Sequence, residues 1–144
     1  MITLTEKLPP NPDLPVDYTL LLTAEERVRS RHCFQADNGD DLYFNLPRGT
    51  VLRDGDMLRS PTGVQVRVQA KPEPVLVVTS TDPFRLLRAA YHLGNRHVSL
   101  ELHPTYLQLS PDPVLADMLQ HLGVEIAQAM RPFQPEAGAY HHHH

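Results

Sequence analysis

Two Asp-Pro pairs, Asp82-Pro83 and Asp112-Pro113, constrain the second half of the chain more than any other feature. In each pair the aspartate suits the N-cap of a helix, and the proline suits the first turn, where its missing N–H costs nothing. Apolar side chains follow at helical spacing, at 84, 87 and 91 after the first pair and at 114, 115, 118, 119 and 122 after the second. The spacing predicts helices over 83–93 and through 114–122, which end at Gly94 and Gly123.

Strand-like segments surround the two predicted helices. Residues 75–80 are a run rich in β-branched side chains, while 98–102, 106–109 and 124–130 complete the set. The predicted order is β-α-β-β-α-β, the ferredoxin-like arrangement. The fold class predicted for this half is therefore α+β.

The first half of the chain has the two-residue period of β-strands instead. Residues 26–36 alternate, with arginines on one face at the start of the segment, and 64–70 alternate strictly. The Asn38-Gly39 pair between 26–36 and 42–46 predicts a hairpin. Several short strands at this spacing indicate a small all-β domain, either a sandwich or a barrel.

The proline-containing stretch 71–74 separates these two patterns and suits a short exposed connector. We expect a β-rich domain over 1–72, a ferredoxin-like domain over 73–131, and a flexible histidine-containing tail over 132–144.

Composition excludes several classes of function. The 17 acidic residues outnumber the 13 basic ones, and the basic residues are scattered, which argues against a nucleic-acid partner. No apolar run of membrane-spanning length and no signal peptide are visible, so we expect no membrane association. The single cysteine, Cys33, excludes an internal disulfide, and a cytoplasmic location is the simplest expectation.

No catalytic site is apparent in the sequence. His32 and Cys33 are adjacent on a predicted strand and therefore face opposite sides of it. The chain also lacks a nucleophile elbow and a glycine-rich phosphate loop. A hydrolase with a zinc-activated water stays as a hypothesis, but no well-placed carboxylate supports it. We therefore predict that the chain is not an enzyme.

Histidine placement indicates metal binding instead. His92 falls in the last turn of the first predicted helix, where the helix dipole favours it, whereas His97 follows the helix end on a surface connection. A two-fold axis beside His97 would bring two imidazoles together, and imidazole suits Ni, Cu and Zn. Further ligands could come from the four histidines that end the chain, His141, His142, His143 and His144. The same four residues also match the remnant of a purification tag.

Several segments together resemble the UreE family of nickel metallochaperones for urease. They are "AYHLGNRH" (90–97), "LPRGTVLRDGDMLRS" (46–60), "VLADMLQHLG" (114–123) and "PFQPEAGAY" (132–140), which leads into the terminal histidines. The resemblance implies a homodimer with an N-terminal domain that engages partner proteins. It places the interfacial nickel ligand on His97 and the histidine-bearing tail on His141–His144, where relatives also carry histidines. The stretch 111–113 departs from members that have His-Asp-His there.

The function that the resemblance implies is delivery of Ni(II), through a partner GTPase and other urease maturation proteins, to the urease active site. Zn(II) or Cu(II) would bind the same ligands in vitro. Two alternatives remain: a protein-interaction adaptor whose histidines are incidental, and a general Zn, Cu and Ni-binding protein.

Overall fold

The computed structural model describes residues 1–137 and divides the chain into two compact units, Met1–Lys71 and Pro72–His144. Within the described residues the fold is mixed α+β, with eleven strands and two α-helices, which confirms the predicted class. Only Lys71 and Pro72 separate the last strand of the first unit from the first strand of the second.

The first unit is built from strands and one short 3-10 helix at Glu26–Val28. Its strands form a three-stranded sheet of order β1-β5-β4 and a four-stranded sheet of order β2-β6-β7-β3. Apolar side chains from both sheets share one core, which fits a sandwich, one of the two predicted arrangements. In chain order the strands are β1 (Ile2–Leu4), β2 (Glu6–Leu8), β3 (Tyr18–Leu22), β4 (Arg31–Gln35), β5 (Asp41–Asn45), β6 (Met57–Arg59) and β7 (Gln65–Ala70).

The Asn-Gly hairpin is confirmed. Strands β4 and β5 pair antiparallel, and Gly39 takes the positive φ of +92° that closes the loop between them. Asp40 in this loop accepts a hydrogen bond of 2.6 Å from the Tyr18 hydroxyl. That hydrogen bond raises the pKa of Tyr18, because it stabilises the protonated phenol.

The predicted strand over 26–36 is wrong at its start. Thr23 and Glu26 cap each other reciprocally, since each side-chain oxygen accepts the other residue's backbone N–H, and this capping box nucleates the 3-10 turn. The turn buries Arg27, which was predicted on the arginine-bearing face of a strand, to 2% exposure. Its guanidinium donates to the carbonyl oxygens of Leu22 and Leu52, so these two acceptors have hydrogen-bond partners.

The second unit has the ferredoxin-like order. Its elements are β8 (Glu73–Thr79), α1 (Pro83–Asn95), β9 (Glu101–Leu102), β10 (Tyr106–Leu109), α2 (Pro113–His121) and β11 (Glu125–Arg131). The antiparallel sheet has the order β11-β8-β10-β9, so β11 and β9 form its two edges. One sheet face packs on the helices through a core that includes Leu76, Val78 and Leu107.

Both helices begin where the Asp-Pro pairs predicted. The Asp82 carboxylate accepts the N–H of Phe84 at 2.9 Å. Asp112 accepts the N–H groups of Val114 and Leu115, at 2.8 and 3.1 Å. Gly123, with φ +83°, follows α2 as predicted.

Strand β9 is much shorter than the predicted strand over 98–102. Only Glu101 and Leu102 pair with β10. The backbone N–H groups of residues 96–98 bond back to the last turn of α1 and are therefore unavailable for a sheet.

Candidate metal centre

His97 is the residue that closes helix α1. The N–H of Val98 donates to the Leu93 carbonyl at 3.2 Å, and the N–H of His97 donates to the Gly94 carbonyl at 3.0 Å. These two bonds form a Schellman motif, in which His97 occupies the C′ position with φ +59°. Val98 then packs against the core cluster that contains Leu93, as the hydrophobic contact of the motif requires.

The prediction that Gly94 ends the helix is therefore wrong. Helix α1 continues through Gly94 to Asn95, and Gly94 has no positive φ. The left-handed position falls three residues later, on a residue with a side chain. His97 is the only non-glycine with positive φ in residues 1–137, and this conformation costs roughly 1–2 kcal/mol for an L-residue.

The side chain of His97 lies on the surface, as the sequence predicted. His92, one turn before the helix end, is half-buried and its ring contacts Tyr91 edge to face at 5.3 Å. The carbonyl of His92 accepts from the Arg96 guanidinium at 3.1 Å. The two histidines of this segment thus differ, because His92 is part of the helix end and His97 projects beyond it.

The apolar stripe predicted on α1 faces solvent and not the core. Phe84, Leu87 and Tyr91 are 63%, 67% and 68% exposed. The helix packs on the sheet through other positions, with Ala89 and Leu93 fully buried. Helix α1 therefore has two apolar faces, and the sequence pattern alone could not tell which one is covered within the chain.

Within residues 1–137, no group of three or more histidine, cysteine, aspartate or glutamate side chains is placed to hold a metal ion. His141, His142, His143 and His144, the other predicted ligands, lie outside the described residues. An imidazole alone does not bind a transition metal tightly, so a site at His97 requires ligands from the tail or from a second copy.

The chain after β11 crosses the sheet on the face opposite the helices. We call residues 132–136 the C-terminal strap. Just before it, at the end of β11, the Arg131 guanidinium donates to the Gln108 side-chain oxygen at 3.3 Å and lies over the Tyr106 ring. The Gln108 amide in turn donates to the Pro132 carbonyl at 3.5 Å, and Phe133 is 2% exposed. This part of the predicted flexible tail is therefore packed on the protein.

The strap ends at β9. Oε1 of Glu101 accepts the N–H of Gln134 at 2.6 Å, and the Leu100 carbonyl accepts the N–H of Glu136 at 2.7 Å. The His103 ring binds the second Glu101 oxygen at 2.5 Å and stacks on Tyr106 with 4.3 Å between ring centroids. The sequence indicated only that His103 begins a turn, because the partners of this ring come together through the fold.

Comparisons with known proteins match both units. Residues 4–71 match the family described as UreE urease accessory protein, N-terminal domain, and residues 73–144 match its C-terminal domain. The chain belongs to the UreE family. It is 57% identical to the urease accessory protein UreE of Nostoc sp. (strain PCC 7120 / SAG 25.82 / UTEX 2576), over 100% of this chain and 99% of the relative.

Two further relatives have the same description. The UreE of Microcystis aeruginosa is 51% identical over 100% of this chain and 95% of the relative. The UreE of Burkholderia orbicola is 50% identical over 97% of this chain and 71% of the relative. UreE relatives are urease accessory proteins, and the chain is accordingly an accessory protein for urease maturation and not an enzyme, as predicted.

Neither helix in residues 1–137 has the length and apolar character needed to span a membrane.

Proposed function

We propose that the chain is a homodimeric metallochaperone that carries Ni(II) as cargo for assembly of the urease active site. Membership of the UreE family and the exposed position of His97 at the end of α1 carry this proposal. His97 from each of two copies would form the centre of the site, and His141–His144 would supply further, exchangeable ligands. Zn(II) and Cu(II) would compete for the same nitrogens in vitro, so supply and partner recognition must select nickel.

The exposed stripe of α1 supports the dimer. Phe84, Leu87 and Tyr91 form an apolar strip of a kind that monomers rarely leave uncovered. Because a two-fold interface uses the same surface on both copies, α1 packed on α1 would bury two such strips together. His97 directly follows α1, so a two-fold axis that runs along the exposed face of this helix would bring the two His97 imidazoles near each other.

An open site is suited to delivery. A metal held by four fixed protein ligands in a closed shell is retained, whereas a site shared between two copies and terminal residues can lose its ligands one at a time. The partners we propose are the urease accessory GTPase and the other urease maturation proteins, in the cytoplasm. The β-rich domain over 1–72 would be the part that engages these proteins.

Nickel titration by calorimetry tests the proposal. We expect the wild type to bind Ni(II) tightly and His97→Ala to lose most of that affinity. His121→Ala is the matched control, because His121 is also an exposed histidine at a helix end and should be dispensable. Undiminished binding by the His97→Ala protein would overturn the central role of His97.

A further inference from the structure

Strand β11 leaves one long side of the ferredoxin-like sheet open. Within residues 1–137 its only neighbour in that sheet is β8, with which it pairs over its whole length from Glu125 to Arg131. Every second residue of an antiparallel edge strand directs its N–H and C=O groups away from its partner strand. The opposite edge offers much less, because β9 has only two residues. In the described part of this unit, β11 therefore presents the longest unpaired strand edge.

The outer side of β11 lacks the features that usually prevent an edge strand from pairing. Natural edges are protected by proline, by charged side chains within the strand, or by a covering segment. Residues 126–130 of β11 are Ile-Ala-Gln-Ala-Met, with neither charge nor proline. Ala127 and Gln128 are exposed, and Met130 is 65% exposed. Such a strand is suited to accept another extended strand at its edge.

The sequence of β11 is complementary to itself. When two copies are placed antiparallel about Gln128, Glu125 of each copy lies opposite Arg131 of the other. Opposite charges at such cross-strand positions stabilise a sheet. A guanidinium has five N–H donors, so the hydrogen bond from Arg131 to Gln108 leaves donors for a carboxylate. A shift of two residues in either direction would leave Glu125 and Arg131 without oppositely charged partners, so one register is favoured.

This register also brings matching backbone groups and side chains together. It pairs odd-numbered residues with odd-numbered ones and even with even, so the outward-facing N–H and C=O groups of the two copies meet. Ile126, which packs on the core under the helices, would lie opposite Met130 on the same face of the sheet. A hollow of about 660 Å³ at this edge, lined in part by Pro74, Pro111 and Met130, gives the apolar side chains of a second copy a place to pack.

We propose that β11 is a self-association surface, on which β11 of a second copy pairs antiparallel about a two-fold axis at Gln128. The surface is separate from the apolar strip of α1, because Leu87 of that strip lines a groove with Leu102 of β9, at the opposite edge of the sheet. One copy can therefore use both surfaces, which links α1 dimers into larger assemblies. The pairing requires neither nickel nor His97, so it goes beyond the proposed function.

Sedimentation velocity of the metal-free full chain, with a chelator present, tests the pairing. One strand pair is a small interface, so we expect the wild type to gain mass beyond its low-concentration species only as protein concentration rises. Gln128→Lys places like charges opposite each other at the axis and should raise the dissociation constant of this step at least about tenfold. Gln35→Lys, at an exposed glutamine of the edge strand β4, is the matched control and should have no effect.

Mixing two variants tests the two-fold axis. Gln128→Lys and Gln128→Glu should each associate poorly alone, because each meets its own charge across the axis. An equimolar mixture should associate at least as well as the wild type, because lysine then meets glutamate. No concentration-dependent gain in mass by the wild type would overturn the proposal. So would normal association of Gln128→Lys alone, or a mixture that associates no better than its components.

Hydrogen exchange distinguishes strand pairing from other contacts at the same edge. At high protein concentration every second amide over 125–131 should exchange more slowly than at low concentration, and the Val77 and Val78 amides in the central strand should be unchanged. Association without this alternating protection would overturn strand pairing. In Leu87→Asp the same step should lead from monomer to dimer as concentration rises, so the β11 result stands apart from the outcome for the α1 dimer.

Discussion

His97 combines a surface imidazole with a backbone conformation that glycine usually supplies. The Schellman bonds from His97 and Val98 hold the end of α1 in this shape, and the left-handed φ aims the side chain away from the helix. Strained non-glycine residues persist where the surrounding structure imposes them, often at functional sites. At His97 the chain thus carries an imidazole in a backbone conformation that costs stability.

His97→Gly should therefore stabilise the fold while it weakens nickel binding. Relief of the left-handed strain outweighs the extra unfolded-state entropy of glycine, so we expect the free energy of unfolding to rise by about 0.5–1 kcal/mol. Chemical denaturation of the metal-free protein measures this. His121→Gly, in the last turn of α2, is the matched control and should instead lower stability by about 1 kcal/mol. A less stable His97→Gly protein would contradict the strain argument.

At the scale of elements, the two helices differ in how much of their apolar surface the chain itself covers. Both begin at an aspartate cap followed by proline, and both pack one face on the same sheet. Helix α1 carries a second apolar face at Phe84, Leu87 and Tyr91, which stays exposed in the single chain. A capped helix with two apolar faces is suited to connect the sheet of one copy to a second copy.

Leu87→Asp should convert the proposed dimer into a monomer. A carboxylate in the middle of the apolar strip would have to lose its water on association, which costs far more than the strip gains. Sedimentation velocity measures the change. Leu21→Asp is the control, since Leu21 is also an exposed leucine, at 49%, but lies on β3 of the first unit. A Leu87→Asp protein with the mass of the wild-type assembly would exclude α1 as the interface.

The helix caps contribute measurably to the free energy of unfolding. Asp112 satisfies two backbone donors at the start of α2, so Asp112→Ala should lower the free energy of unfolding by about 1 kcal/mol. Thermal denaturation measures this loss. The control is Asp117→Ala, at an exposed aspartate within the same helix, whose free energy of unfolding should lie within about 0.5 kcal/mol of the wild type. Equal effects of the two substitutions would argue against the capping role.

At the scale of the whole molecule, the proposed metal ligands all belong to the second unit. His97, the strap and the terminal histidines follow residue 72, and this unit has an apolar core of its own. The first unit has a separate core shared by two sheets and contributes none of the proposed ligands. Metal binding and engagement of partner proteins are thus expected to be separable along the chain.

A fragment of residues 72–144 should therefore keep the nickel affinity of the full chain to within a factor of a few. The same fragment should fail to support urease activation in cells, because it lacks the domain proposed to engage the partners. Calorimetry and a urease activity assay measure the two outcomes. Full activation by the fragment would count against a working role for the β-rich domain, and against the adaptor alternative.

Local patterns were sufficient to predict much of this protein. The Asp-Pro caps, the Asn-Gly hairpin and the β-α-β-β-α-β order of elements along the chain follow from local sequence patterns, and they hold in the structure. The surface position of His97 also followed from its place after a helix. These sequence patterns reflect hydrogen bonds and side-chain periodicity between residues that are near one another in the chain.

Tertiary structure alone decided the remainder. The spacing of Phe84, Leu87 and Tyr91 shows an apolar stripe, but which face of α1 meets the sheet depends on the whole packing. The sheet order places β9 and β11 at opposite edges. The chain after β11 must cross the sheet before the Glu101 carboxylate can accept the N–H of Gln134, 33 positions later in the sequence. Contacts between residues so distant in the chain leave no periodic trace, so the path of residues 132–136 across the sheet emerged only from the fold.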